Sequence, residues 1–341
     1  MPELETVATK FQLSAPFSSV RQFGAGHIND TYLVILRSDA RVVLQRINRD
    51  VFPGAWDVAA NVALVVAHLE AAGGGVPGLI RTLENEPAWR DAEGRVWRMF
   101  DYIEDARTLQ QVETADQARE AGRAFGDFQR RLGDFPRAKL YPAIPHFHDI
   151  GWCFMKFSSA ATGDLTSISD DLAFVAERRH FADRRLTADD IVIHGDCKIN
   201  NVLFDAEQDH VVAVIDLDTV MVGDRLWDFG DLVRSAAASG TEDAPTIDVS
   251  LSLFRAIAEG FLDGSGWKPD AMERDAMVRA PRVMALMLGV RFLTDYLVGN
   301  QYFKVDDPEH NLRRARAQFR LVSALERNGV AMTRIITELA G

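Results

Sequence analysis

One short polar segment of the sequence carries residue types that are suited to group transfer. It is His194–Asn201, which reads H-x-D-x-K-x-x-N, and the apolar run Val211–Ile215 follows it and leads directly into Asp216. Phosphoryl transfer from ATP needs a base for the attacking hydroxyl, a cation near the moving phosphate and ligands for Mg²⁺. This spacing of residue types therefore predicts a site for ATP-dependent phosphoryl transfer.

Each polar residue of the pattern receives a predicted role from its chemistry. Asp196 is predicted to be the catalytic base, which positions the hydroxyl and accepts its proton late. Lys198 is predicted to contact the γ-phosphate, with pairing to an acidic residue as the alternative. Asn201 is a predicted Mg²⁺ ligand, because its spacing from the base favours it over Asn200. The other predicted Mg²⁺ ligand is Asp216, a carboxylate at the end of a buried strand.

Three further polar residues are predicted to support this site. His194 is expected to brace the loop. Asp218 is expected to point the same way as Asp216, where it either shares the metal or hydrogen-bonds the substrate. The tripeptide Asp228-Phe229-Gly230 looks like the metal-binding motif of protein kinases but lies too far beyond the base. Asp228 is therefore predicted to anchor the catalytic loop through backbone hydrogen bonds.

Contacts to the nucleotide are predicted in the first part of the chain. Gly24 and Gly26 lie in a turn before a strand, where glycine lets backbone N–H groups approach a polyphosphate, although such a pair can also form an ordinary turn. The next strand has no Lys, and its Arg46 is either a substitute phosphate ligand or a surface residue. Near the end of a later apolar strand, Asp101 and Ile103 are expected to bind adenine through backbone groups.

The composition is that of an ordinary globular protein. The chain has 341 residues, of which 47% are hydrophobic and 26% are charged. A net charge of −12 without a block of Lys and Arg argues against nucleic acid as a partner. No apolar run reaches the ~18 residues of a membrane span, and the N-terminus does not resemble a secretory signal. Only two cysteines occur, which predicts a reducing, cytoplasmic location.

The hydrophobic pattern predicts an α+β fold of two lobes, residues 1–104 and residues 105–341, the first rich in strands and the second mainly helical. The predicted elements of the first lobe are strands 31–36, 41–47, 88–90 and 95–103 and a helix over 55–71. Those of the second lobe are a helix that opens at the Thr114–Gln117 capping signature, a hairpin of 202–204 with 211–215, and several helices over 245–339, with Pro281 in a first helical turn.

Together these residues resemble the aminoglycoside phosphotransferase/choline kinase family. The resemblance implies a two-lobed, protein-kinase-like α+β fold with a small antiparallel-sheet N-lobe and a larger, mainly helical C-lobe. Within the family, the sequence is most similar to the N-acetylhexosamine 1-kinase group. The stretches that carry this similarity are Gly26–Tyr32, Leu44–Asn48, Ile144–Asp149, Val214–Thr219, Arg291–Leu297 and Tyr302–Lys304.

The resemblance implies that ATP and Mg²⁺ are used to phosphorylate the anomeric hydroxyl of an N-acetylated hexosamine, a small-molecule sugar. It also implies that Asp218, Arg291 and Tyr302 contact the sugar. His27 is expected either to approach the phosphate or to lie in a solvated turn. The residues alone leave Arg291 open, because an Arg on a helix that is apolar nearly all round needs a partner, which is either Asp295 or a ligand.

Two other functions remain open at this point. The first is the same phosphotransfer to another acceptor, such as an aminoglycoside, an amino sugar, choline or homoserine. An aminoglycoside or choline site should expose a carboxylate cluster, whereas a neutral N-acetyl sugar needs only a few hydrogen-bonding groups. The second is a nucleotide-binding pseudokinase, which would have no need of Asp196. The sequence does not predict the oligomeric state.

Overall fold

The computed structural model describes residues 2–24, 28–183, 185–240 and 243–341. They form a six-stranded antiparallel sheet near the N-terminus and a larger helical region after it. This arrangement confirms the predicted fold class. None of the helices in the described ranges has both the length and the apolar character of a membrane span.

The N-terminal sheet has the strand order β1-β2-β3-β6-β4, and β5 pairs with β6. A hairpin with its turn at 37–40 joins β2 to β3, which correspond to the predicted strands 31–36 and 41–47, and Asp39 adopts a positive φ of 65° in it. The strands are β1 (Phe17–Gln22), β2 (Asp30–Leu36), β3 (Arg41–Arg46), β4 (Leu79–Ile80), β5 (Trp89–Arg90) and β6 (Val96–Asp101).

The two faces of this sheet have different environments. On the outer face, Val34, Leu44 and Trp97 pack against Phe11 and helix α1 (Pro2–Ala8). Because side chains alternate along a strand, the residues between them point to the opposite face. That face carries Gln45 and Arg98 among apolar side chains, and we call it the cleft face because it is turned toward the helical region.

Helix α2 (Ala55–Ala71) has the bounds that the sequence predicts. It is followed by Gly73–Gly75, whose φ angles are all positive, a backbone region that glycine adopts without strain. The carbonyl of Gly75 accepts a 2.9 Å hydrogen bond from the N–H of Val214 in the helical region. The end of α2 is therefore tied to the second part of the chain.

Within the described residues, the C-terminal region contains the helices α3 to α10 and two small sheets, β10-β9-β7 and β11-β8. Its elements are β7 (Ala106–Thr108), α3 (Ala115–Arg131), α4 (Ile150–Ala160), α5 (Ser169–Glu177), β8 (Asp190–Ile193), β9 (Val202–Asp205), β10 (Val211–Val214), β11 (Met221–Asp224), α6 (Arg225–Ala236), α7 (Leu251–Ser265), α8 (Ala271–Leu297), α9 (His310–Arg327) and α10 (Gly329–Ala340). The predicted hairpin corresponds to β9 and β10. The lobe boundary at residue 104 stays a prediction.

The predicted start of α3 is confirmed, but its capping differs in detail. The Thr114 side chain accepts a 3.2 Å hydrogen bond from the N–H of Gln117. The Gln117 side chain in turn accepts from the N–H of Glu113, one residue before the N-cap. Both bonds satisfy N–H groups that a helix leaves free at its first turn.

The prediction that Pro281 opens a helix is wrong, because Pro281 lies inside α8. That helix begins after Asp270, which forms a reciprocal capping box with Glu273. Pro281 removes one helical hydrogen bond, and the helix continues because it is packed on several sides. Gly230 of α6 lies directly against it: a Cβ there would be only 2.8 Å from the carbonyl oxygen of Ala280.

Candidate active site

The loop between β8 and β9 is held in place by a buried carboxylate. Asp228 of α6 accepts hydrogen bonds from the backbone N–H groups of His194 and Gly195, at 2.9 and 2.8 Å. It also accepts from Gln129 of α3 at 2.8 Å. Both carboxylate oxygens are therefore used to fix the loop backbone, and these contacts confirm the predicted anchoring role of Asp228.

His194 braces the same loop, as the sequence predicts. Its ring is fully buried and lies edge-on to Phe125 and Phe128. Its Nε2 is 2.9 Å from the carbonyl oxygen of Ile215, and its Nδ1 is 3.2 Å from the backbone nitrogen of Asp196. A bond to a carbonyl requires Nε2 to carry the proton, so Nδ1 is the acceptor for the Asp196 N–H. The ring therefore connects the catalytic loop to the end of β10.

Asp196, Lys198 and Asn201 converge in one small cluster. The Lys198 ammonium lies 2.7 Å from Asp196 Oδ1. Asn201 Nδ2 donates to the backbone oxygen of Asp196 at 2.8 Å and to its Oδ2 at 3.1 Å. Burial alone would raise the pKa of Asp196, but the charge and hydrogen bond of Lys198 outweigh it and the pKa is lowered. Asp196 is therefore ionised and able to accept a proton.

Asp216 stands in a different environment at the end of β10. Its backbone is left-handed, with φ 62° and ψ 57°, a conformation that is uncommon outside glycine and often occurs at functional sites. Its carboxylate is open to the cleft and has no hydrogen-bond partner among the described residues. The surrounding protein removes much of its hydration, and the carboxylates of Asp218 and Asp196 add repulsion, so its pKa rises to about 7.

These features fit a divalent cation between Asn201 and Asp216. Because Asn201 Nδ2 faces Asp196, its Oδ1 is left without a protein partner within the described ranges. An amide oxygen and a crowded carboxylate are oxygen ligands of the kind that Mg²⁺ accepts, and Mg²⁺ normally completes its shell with phosphate oxygens and water. Among the described residues, no group of three or more His, Cys, Asp or Glu side chains is arranged to hold a metal.

Asp218 is engaged by the N-terminal sheet. One carboxylate oxygen pairs with the guanidinium of Arg98, and the other accepts a 2.7 Å hydrogen bond from Asn29. Arg98 and Asp218 are 1% and 3% exposed. The sequence left open whether Asp218 shares the metal or contacts the substrate, and its sharing of the metal stays a prediction. Its contact with an acceptor stays a prediction.

The predicted nucleotide-contacting residues lie in separate places. Gly24 has a φ of 77° at the start of the turn after β1, next to Phe23, whose ring is 5.8 Å from that of Tyr102. Gly26 and His27, the other predicted residues of this turn, lie outside the described residues. Asp101 and Ile103 flank Tyr102 in the link between the two sheets, and their contact with adenine stays a prediction.

The prediction that Arg46 binds phosphate is contradicted by the register of the sheet. Arg46 lies on the outer face, where it pairs with Asp30 and stacks over Trp97. Arg46 lies two residues after Leu44 in β3 and shares the outer face with it. Gln45, which lies between them, points to the cleft face. Arg46 therefore has the surface role that the sequence offered as the alternative.

A cavity of about 600 Å³ lies between α4, α8 and the segments before α4 and after α8. Its lining includes Arg291, and the guanidinium lies 5.4 to 5.6 Å from the ring centres of Phe147, Tyr302 and Phe303. His148, next to Phe147, is 2.8 Å from the carbonyl oxygen of Gly195, directly before the predicted base. The cavity is therefore adjacent to the catalytic loop.

Arg291 does not pair with Asp295, which was one of its two expected partners. The carboxylate of Asp295 instead accepts hydrogen bonds from the backbone N–H groups of Gln301, Tyr302 and Phe303 and from the side chain of Asn311. Within the part of the chain that the structure describes, no carbonyl or carboxylate bonds the Arg291 guanidinium. Asp295 thus shapes the loop that carries Tyr302, and Arg291 is left facing the cavity.

A model of the phosphotransferase enzyme family APH matches residues 19–272, which is most of the chain. The chain belongs to this family. A solved aminoglycoside phosphotransferase from Alicyclobacillus acidocaldarius has 13% identity and a TM-score of 0.66, over 98% of this chain and 96% of that one. Amicoumacin kinase hAmiN, solved with AMP-PNP, Ca²⁺ and Ami, has 13% identity and a TM-score of 0.66, over 94% and 93%.

A microcompartment-associated aminopropanol kinase has 15% identity and a TM-score of 0.63, over 97% of this chain and 98% of that one. At these identities the structures establish the fold, while the family match establishes the class of enzyme. The protein is a small-molecule phosphotransferase that acts on a hydroxyl group, and ATP with a divalent cation is typical of its family.

Two polar residues of this phosphotransferase site were not predicted from the sequence. Arg98 is a charged residue within the apolar strand Val96–Asp101, the same signal that singled out Arg291 on its helix. His148 is stacked on Trp227 with ring centres 5.4 Å apart, and burial lowers its pKa, so the neutral ring bonds Gly195. A lone His in a loop gave no comparable signal.

Proposed function

We propose that this phosphotransferase transfers the γ-phosphoryl group of ATP to the anomeric C1 hydroxyl of an N-acetylhexosamine, giving the sugar 1-phosphate. The observation that carries the proposal is the cavity next to the catalytic loop, in which Arg291 lacks an acidic partner among the described residues. The acceptor class follows from the chemistry of this cavity together with the resemblance to the N-acetylhexosamine 1-kinase group.

The charge of the cavity favours a neutral acceptor. Its lining carries Arg291 and Lys156, while the one acid among the described lining residues, Asp295, is saturated by hydrogen bonds. A cationic aminoglycoside or choline would meet repulsion here instead of a carboxylate cluster. The rings of Phe147 and Tyr302 offer apolar faces of the kind that stack on sugars, and a guanidinium is a strong donor to an acyl or hydroxyl oxygen.

The catalytic roles in the proposal follow from the cluster beside this cavity. Asp196 is ionised and holds the acceptor hydroxyl, whose proton it takes as the new P–O bond forms. Lys198 exchanges part of its pairing with Asp196 for contact with the transferred phosphoryl group. Asn201 and Asp216 hold the divalent cation, which would neutralise charge on the nucleotide phosphates. Gly24, Gly26, Asp101 and Ile103 belong to the proposed nucleotide site.

A panel of acceptors tests the substrate. ADP release would be measured with N-acetylglucosamine, N-acetylgalactosamine, glucosamine, an aminoglycoside, choline and homoserine, and phosphorus NMR would locate the phosphate. We expect turnover only with the N-acetylated sugars and a phosphate on C1. Turnover with a cationic acceptor alone would refute the substrate, and ATP binding without turnover on any acceptor would indicate a pseudokinase.

Substitution of Arg291 tests the observation that carries the proposal. Arg291→Met removes a charged donor that is worth roughly a tenfold or greater change in affinity, so the KM for the sugar should rise by about that factor while the KM for ATP stays near that of the unaltered protein. Arg255→Met, at an exposed Arg paired with Glu338 on another helix, is the control. Equal KM values for the sugar in both variants would refute the assignment.

Asp196→Asn tests the chemistry independently of the acceptor's identity. We expect kcat to fall by at least about a thousandfold while ATP affinity changes little, because the base acts on the acceptor and not on the nucleotide. Asp164→Asn, at a surface loop, is the matched control. Unchanged turnover in Asp196→Asn would exclude this residue as the base.

The two free, buried cysteines accord with a cytoplasmic location, which is part of the proposal.

A further inference from the structure

The cleft face of the N-terminal sheet carries a buried cation on an unexpected strand. Arg98 of β6 is 1% exposed, and its Nε and Nη2 donate to Gln45 Oε1 at 3.1 and 2.8 Å. Gln45 stands directly opposite Arg98 in the register of β3 and β6. Its Nε2 donates a 3.2 Å hydrogen bond to Thr31 Oγ1. The strand that lacks a Lys thus presents a neutral amide, and the neighbouring strand supplies the positive charge.

The acidic partner of Arg98 comes from the C-terminal region. A buried Arg needs an acidic partner. Asp218, two residues after Asp216, is that partner for Arg98, and among the described residues no acid of helix α2 pairs with it. The second oxygen of Asp218 is held by Asn29 Nδ2 at 2.7 Å, and Asn29 Oδ1 accepts from the N–H of Asn48 at 3.0 Å. Both oxygens of this carboxylate are therefore held by side chains of the N-terminal sheet region.

The position of this network connects the two halves of the nucleotide site. Asn29 follows the glycine-containing turn after β1, and Asp218 follows the proposed cation ligand Asp216 in a short helical turn, Leu217–Thr219. A bond between Asn29 and Asp218 therefore fixes the distance between Asn29 and the cation site. Since both oxygens of Asp218 are occupied, the cation is left to Asp216 and Asn201.

We propose that Arg98, Asp218 and Asn29 form a latch between the two lobes, in which Arg98 takes the place of the missing strand Lys and all three are positioning residues for nucleotide binding. The latch holds Asn29 and the start of β2 beside the cation site before the acceptor binds. The proposal rests on the nucleotide site described above but not on the identity of the acceptor, because nucleotide binding can be measured without one.

An exchange of the two latch residues provides the test. Asn29→Asp places a carboxylate oxygen against Asp218 and removes the donor, and Asn29 is only half-buried, so the chain can still fold. In the double variant Asn29→Asp/Asp218→Asn the amide and the carboxylate change places: the new amide can donate across the same gap, and the net charge is kept. A merely structural role would lower the melting temperature of Asn29→Asp and leave its affinity for the nucleotide unchanged.

Binding of Mg²⁺ and AMP-PNP would be measured by isothermal titration without acceptor, alongside the melting temperature. We expect Asn29→Asp to weaken nucleotide binding about tenfold or more and the double variant to recover most of this loss. Arg46→Met, an Arg of the adjacent strand on the outer face, is the control and should bind like the unaltered protein. Binding within twofold of the unaltered protein in Asn29→Asp, or no recovery in the double variant, would overturn the latch. If the unaltered protein itself does not bind the nucleotide, it is the phosphotransferase site that has failed.

Discussion

Asp216 is the proposed metal ligand and Asp228 anchors the catalytic loop, and we expect replacement by Asn to change stability in opposite directions at these two positions. Asp216 lacks a hydrogen-bond partner among the described residues and is crowded by other carboxylates, whereas Asp228 accepts three hydrogen bonds. In the cation-free protein, Asp216→Asn should therefore raise the free energy of unfolding, and Asp228→Asn should lower it. The two variants differ in the environment of the carboxylate and not in the chemical change.

The expected size for Asp216 follows from its pKa. The folded-state pKa is about 7 against an ordinary 3.8, so the folded protein binds more protons than the unfolded chain between about pH 4 and pH 7. Stability therefore falls as the pH rises through this window and stays low above it. The full difference corresponds to about 4 kcal/mol. Because the side chain is open to water in the cleft, screening reduces this to about 1 kcal/mol.

The expected size for Asp228 follows from its hydrogen bonds. Asn can accept from one backbone N–H of the catalytic loop, but its own N–H₂ group then faces the other donor. A hydrogen bond to a buried charge contributes about 1.5 to 3 kcal/mol, and an unsatisfied buried N–H adds a comparable cost. We therefore expect Asp228→Asn to lose about 2 to 4 kcal/mol, and kcat to fall because Asp196 is no longer held in place.

Urea unfolding with a chelator at about pH 8 and about pH 4 would measure both effects. Asp216→Asn should gain about 1 kcal/mol at the higher pH and little at the lower one, while a separate titration should show that it no longer binds Mg²⁺. Asp228→Asn should be destabilised at both pH values and, where folded, still bind Mg²⁺. Loss of Mg²⁺ binding in Asp228→Asn with retention in Asp216→Asn would refute the assignment of these residues.

Three further outcomes are expected. Mg²⁺ affinity should fall about tenfold for each pH unit below 7, since the proton competes for Asp216, and should be level above it; a calorimetric series that is flat from about pH 5 to pH 8 would contradict this. Lys198→Met should lower kcat about a hundredfold and shift the acidic limb of the pH–rate profile upward, because it removes the charge that keeps Asp196 ionised. Gly260→Ala should destabilise the protein by about 2 kcal/mol or more in thermal unfolding, because its Cβ would meet the backbone oxygen of Arg119 where α7 crosses α3. Gly133→Ala should cost less, because its Cβ would lie 3.1 Å from the backbone oxygen of Arg130, so that a small shift relieves the contact.

The catalytic loop could be predicted from sequence because its contacts are set by short spacings. The hairpin of β9 and β10 returns the chain within a few residues, so Asp216 must end near Asn201. The anchoring role of Asp228 was predicted because this residue lies too far along the chain from Asp196 to be the metal ligand, and its hydrogen bonds confirm the role. These inferences needed only local geometry and the preferred ligands of Mg²⁺.

The contacts across the cleft could not be predicted in the same way. In β3, the run Val42-Val43-Leu44 is apolar on both faces, so the sequence does not show which face meets the cleft, and it left Arg46 open between a phosphate ligand and a surface residue. Arg98 lies in an equally apolar strand, and its partner Asp218 is distant in sequence and belongs to the other lobe. A buried Arg signals that a partner exists without indicating where it is.

Asp216, Asp218 and Asp228 follow the same hairpin and are chemically identical, but they differ in their surroundings. Spacing from Asp196 separated Asp216 from Asp228, whereas it left open whether Asp218 shares the metal. The structure separates them by their donors: backbone N–H groups saturate Asp228, and side chains from the other lobe saturate Asp218. Only Asp216 of the three keeps unbonded oxygens within the described residues. A carboxylate without donors that is repelled by its neighbours is stabilised by a proton or by a cation, and above about pH 7 only the cation remains, which is why we propose Asp216 as the ligand.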